Sequence, residues 1–126
     1  VAVNYRTTLK TTRMQAVADD IDSGPAAGTL EIGDAGFASV LATFTCNDPC
    51  GTVATDTLTF SGLTKSAVAA ATGTAAAARF KNSTGTVIVS GLTVGTVGTD
   101  IIISPSTSIT VGQTVQWTAG TIQHSA

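Results

Sequence analysis

Apolar and polar residues change their period once along this chain. Tyr5, Leu9, Ala16, Val17 and Ile21 recur at spacings of a helical face, and from Gly28 onward the alternation is by twos. The spacing predicts an amphipathic helix over residues 4–21, with Asn4 as its N-cap. Ser23-Gly24-Pro25 is its stop signal, because Gly relieves the position after the last turn and Pro cannot continue the ladder. The charges run in the wrong order for the helix macrodipole: Arg6, Lys10 and Arg13 come early, Asp19, Asp20 and Asp22 late. Such a helix is weak alone and is expected to depend on packing against the rest of the chain or another subunit.

The period-two region divides into short segments. GTLEIG (28–33) places Leu30 and Ile32 on one face. FASVLATFT (37–45) places Val40, Ala42 and Phe44 on one face, with Phe37 and Leu41 on the other, as in a strand covered on both sides. TLTF, TVIVS, DIIIS, SITV and TVQWTAGTI follow, separated by turn signals at 82–85, 94–98, 104–108 and 111–113. The Ala-rich stretch 67–80 has helix-forming residues, but Thr72-Gly73-Thr74 interrupts it. It is read as strand, with small side chains that permit close approach. Seven or eight strands between Gly, Pro, Asn and Ser turns predict a mainly β fold, an antiparallel β-sandwich or jelly-roll-like domain over 25–126. An N-terminal helical arm over 1–24 precedes it.

Both cysteines of the chain lie in CNDPC, residues 46–50. The spacing is neither the C-x-x-C of redox motifs nor half of a paired structural zinc site. His124, the sole histidine, lies far off with no spacing signal behind it. Asn47, Asp48, Pro49 and Gly51 are turn formers, so the segment is expected to be a turn between two strands with Cys46 and Cys50 at its ends. Replacing both with Ser is then expected to cost little stability. Whether they pair as a disulfide depends on compartment and geometry.

Composition narrows the function. The 126 residues carry 24 Thr and 19 Ala, a net charge of −2 and only 11% charged residues, where a free globular domain carries about a quarter. A deficit of that size points to surfaces covered by neighbours. No basic tract offers an electrostatic footprint for nucleic acid, and no apolar run is long enough for a membrane helix. VAVNYRTTLK lacks the pattern of a secretory signal. The expectation is a chain used inside the cell or one already trimmed, and Val1 fits loss of an initiator Met.

Converging catalytic groups are scarce. Glu31, the lone Glu, is expected on the solvent face of its strand, and a glycosidase acid needs a second placed carboxylate. Asp19, Asp20 and Asp22 lack the calcium-loop pattern and are expected to end the helix. Trp117, near Gln116 and Gln123, has the makings of a sugar platform, but in V-x-W it is expected to fill the core beside Val115. Arg79 and Lys81 flank Phe80 on the opposite pleat face and are expected to face solvent or a subunit. No catalytic residue, cofactor site or metal site is assigned.

YRTTLKTTRMQAV, AAGTLEIGDAGFASVLATFTCNDPCG, ATGTAAAARFKNSTGTVIVSGLTVG and SITVGQTVQWTAGTI, in that succession, resemble small virion proteins of tailed bacteriophages and prophages, often encoded close to the major capsid protein. The similarity is one of layout and local phrasing over nearly the whole chain. It implies a non-enzymatic structural role, foremost as a head decoration or cement protein bound to the major capsid protein and to copies of itself. The implied location is the virion, assembled in the host cytoplasm. A neck or tail position, or a glycan-binding β module carried by Trp117 and Tyr5 at an adsorption structure, are the alternatives.

Overall fold

The computed structural model describes residues 5–123, and the expected Asn4 cap and His124 lie outside them. The helix, α1, spans Thr7–Ile21, with Arg6 at its N-cap and no side-chain hydrogen bond capping it. It ends where the stop signal predicts: the Asp22 N–H reaches the Ala18 carbonyl at 3.0 Å, and Gly24 takes a positive φ. Its buried residues are Met14, Ala18 and Ile21, one ladder of i, i+4 and i+7. The expected face is corrected in part, since Leu9 and Ala16 are exposed. Ile21 is common to both faces, so the docked face differs from the expected one by Met14 and Ala18 in place of Leu9 and Ala16.

Eleven short strands follow among the described residues. They are β1 (Thr29–Gly33), β2 (Val40–Thr45), β3 (Gly51–Ala54), β4 (Thr57–Phe60), β5 (Lys65–Val68), β6 (Gly73–Thr74), β7 (Ala77–Lys81), β8 (Val87–Gly95), β9 (Ile101–Ser104), β10 (Ser108–Ile109) and β11 (Thr114–Gln123). The fold is mainly β, as the period predicts. Phe37 does not extend the second strand; it ends a short 3-10 turn, Ala35–Phe37. The Ala-rich stretch is extended, supplying β5, β6 and β7.

The main sheet runs β2-β1-β7-β8-β9-β11-β4-β3, with β5 also paired to β11. All its pairings are antiparallel except β8 with β9, so the sheet is mixed. This departs from the antiparallel expectation at one pairing: the short connection 96–100 loops back so that Ile101 starts beside Val94 and runs in the same direction, instead of making a hairpin. The sheet is curled over on itself. Phe60 of β4 stacks on Phe80 of β7 with centroids 4.3 Å apart, although four strand spacings, roughly 19 Å, would separate them on a flat sheet. On another side the Ala70 N–H, just past β5, donates to the Leu41 carbonyl of β2 at 2.8 Å. α1 lies against β3, β4 and β8 and closes the remaining gap.

Trp117 sits at the centre of this roll. It has no solvent exposure, and its ring lies 6.0, 5.6 and 6.0 Å from those of Phe44, Phe60 and Phe80. Its indole N–H is satisfied by the Ala119 carbonyl at 2.9 Å, which removes the cost of burying that donor. Small residues make room around the large ones. Ala78 stands in register between Ile32 and Leu92, and all three are buried.

Candidate functional site

The CNDPC segment is a loop between β2 and β3, and both its cysteines are buried free thiols. Each end is tied to a different part of the fold. The Cys46 N–H donates to the Gly28 carbonyl at 2.9 Å, and the Cys50 carbonyl accepts the Ser61 N–H at 3.0 Å. The Cys50 N–H donates to the Asp22 carboxylate, and its thiol donates weakly to the Ala18 carbonyl at 3.8 Å, so the loop clasps the end of α1. Lys65 Nζ holds Asn47 Oδ1 at 2.8 Å. The Asn47 side chain occupies the place where a side chain on Gly62 would stand.

This environment suppresses thiol chemistry. Burial pushes both thiols up to about 12, and for Cys50 the nearby Asp22 charge adds to it. A nucleophilic or metal-binding cysteine needs the opposite, a depressed pKa in an electropositive setting. Among the described residues no group of His, Cys, Asp and Glu is arranged to hold a metal ion. The cysteines are core side chains as much as turn ends, which corrects the reading of them as merely the two ends of a turn.

The acidic cluster does lie at the end of α1. Asp22 faces the loop, and its pKa is raised: partial burial leads, Asp48 and Asp19 add to it, and the hydrogen bonds from Cys50 oppose it. Asp19 and Asp20 stay exposed.

Glu31 departs from expectation. Its side chain is only 14% exposed, and it pairs with Arg79 at 2.6 Å and Lys81 at 3.3 Å. Glu31 stands directly opposite Arg79 in the β1–β7 register, with Lys81 two residues along the same face. The Arg79 guanidinium also lies over the Phe37 ring at 4.3 Å, so the 3-10 turn covers this outer face. Burial alone would raise the Glu31 pKa, but the two cations outweigh it and hold the carboxyl below its ordinary value. Arg79 and Lys81 are thus committed to Glu31, which corrects their assignment as solvent- or subunit-facing charges. Among the described residues no second carboxylate pairs with Arg79 or Lys81, and the arrangement is a cross-strand clasp.

The surface holds features the sequence pattern did not single out. Val68, Val97 and Val111 are 66%, 82% and 59% exposed, and Leu9 on α1 is 39% exposed. A signal for two of them was present, since Val97 and Val111 lie within turn segments where polar residues are usual. Among the described residues the six charged groups of residues 6–22 form the densest charged region, and much of the remaining surface is Thr, Ser, Ala and Val.

No protein-family model matches the chain, and no curated protein or solved structure matches it. No helix among the described residues is long and apolar enough to cross a membrane.

Proposed function

We propose that this chain is a non-enzymatic structural protein of a tailed-phage particle, seated on the head as a decoration or cement protein between the major capsid protein and sister copies. The phage context comes from the resemblance in sequence layout. The observation that carries the structural role is the surface: a weakly charged roll whose exposed valines, Val68, Val97 and Val111, stand open to a neighbour, while its buried thiols and its Glu31 clasp are chemically spent. Burial against neighbours would be the mechanism, and binding only the assembled shell shifts the assembly equilibrium toward it. Modest contacts suffice when they are repeated many times on a lattice.

The glycan-binding alternative takes no support from Trp117, whose indole is fully buried and hydrogen-bonded. Tyr5 carries the Arg13 guanidinium over its ring at 4.7 Å. A neck or tail position would use the same kind of surface. Mass spectrometry of gradient-purified particles tests the proposal: the chain should be present in copy number comparable to the capsid protein. A copy number near that of single neck or tail rings would move it there, and absence would end the proposal.

A further inference from the structure

We infer that the solvent face of α1 is a self-association surface on which a second copy of this chain docks its own α1 in antiparallel orientation. Met14, Ala18 and Ile21 face the core, which leaves Leu9, Thr12, Ala16 and Asp19 as the outward ladder at helical spacing. Leu9, with Arg6, Thr8 and Thr12, lines a groove of about 320 Å³ on this face. Thr12 and Ala16 are small enough for two helix axes to approach to about 8–10 Å.

Charge complementarity identifies the occupant. One end of the face carries Arg6 and the other Asp19, both exposed, while Arg13 lies mid-helix over the Tyr5 ring. Neither Arg6 nor Asp19 makes an ion pair among the described residues. Arg6 Nε is held by the Thr8 hydroxyl at 2.7 Å, and Gln15 donates to Asp19 at 3.0 Å. Lys10 is half-buried and lies off the outward ladder. Within one copy this order is unfavourable, with cations at the positive end of the macrodipole and carboxylates at the negative end. An antiparallel second copy reverses the sign of both contacts at once.

A twofold axis passing between Thr12 and Arg13 sets Leu9 against Ala16 of the second copy and Arg6 against its Asp19. Each contact occurs twice, as an isologous interface requires. The surface would be satisfied by copies of this chain whether or not they lie on a phage head, so its failure leaves the particle experiment untouched.

Sedimentation of the purified chain at about 100 μM, where a micromolar interface is filled, tests the inference. The parent should sediment as a dimer that dissociates as salt is raised. Arg6→Glu, and separately Asp19→Lys, should each weaken self-association at least about tenfold by setting like charges together at both copies of the contact. Both variants correct the helix charge order, so both should melt at or above the parent temperature, and loss of folding cannot mimic the result. An equimolar mixture of the two should restore the dimer. A monomeric parent, a dimer that survives either reversal, or a mixture that stays monomeric would overturn it.

Discussion

The Asp22 carboxylate accepts the backbone N–H of Cys50 through both oxygens, at 3.0 and 3.2 Å, and so fastens the end of α1 to the loop between β2 and β3. An acid at this end of a helix opposes the macrodipole, and here it serves as an acceptor for a loop donor that the sheet leaves unpaired. Asp22→Ala should therefore cost about 1–2 kcal/mol, measured by urea unfolding. Asp22→Asn keeps an acceptor and sheds the charge, and it should stay within about 0.5 kcal/mol of the parent at neutral pH. Because the folded pKa is raised above 3.8, ionised Asp22 disfavours the fold above that raised value. The parent should gain on the Asn variant as pH falls through it.

Glu31 has the opposite slope. Its folded pKa is held below 4.5, so its contribution is fully present above 4.5 and is lost as pH falls through the lowered value. Glu31→Gln should cost about 1–2 kcal/mol near neutrality, since it leaves Arg79 and Lys81 side by side without their shared carboxylate. Unfolding curves of parent and variant across that acidic range should converge. A constant gap down to the lowest pH would show that the clasp contributes nothing electrostatic.

The buried thiols give a third test. Iodoacetamide at mildly alkaline pH should leave Cys46 and Cys50 unmodified in the folded protein and alkylate both after unfolding, because burial holds them at about 12. A chelator should leave the melting temperature unchanged. Cys46→Ser should cost about 1–3 kcal/mol by burying a hydroxyl, and Cys50→Ser less, since the Ala18 carbonyl is within reach. The double variant should then melt about ten degrees below the parent.

The two sides of α1 should respond differently to truncation. Met14→Ala empties a core position and should cost about 2–4 kcal/mol, whereas Leu9→Ala should change folding stability by less than about 0.5 kcal/mol. Guanidinium unfolding of each variant at low protein concentration separates this effect from any association. Equal costs would show that the helix docks by a different face.

Period and turn chemistry made the architecture legible. Alternation around Leu30, Ile32, Leu58 and Phe60 marks strands, the Ser23-Gly24-Pro25 stop falls where the helix ends, and V-x-W places Trp117 inside. The Glu31 clasp was not legible, because its partners lie about fifty residues away and meet only through the β1–β7 register, which no local pattern sets. The helix face was ambiguous for a different reason. Leu9, Met14, Ala16, Val17, Ala18 and Ile21 spread over more than one stripe, and contact with β3, β4 and β8 decides among them. The parallel β8–β9 pairing is likewise a tertiary choice, made where the chain loops back after Gly95 and sets Ile101 beside Val94.

Cryo-electron microscopy of intact particles with symmetry-averaged reconstruction tests the structural role most directly. The account predicts density for this curled β roll in many symmetric copies on the outside of the head, with its exposed valines turned toward capsid protein or sister copies. A head surface lacking that density, in particles that lack the chain altogether, would contradict it.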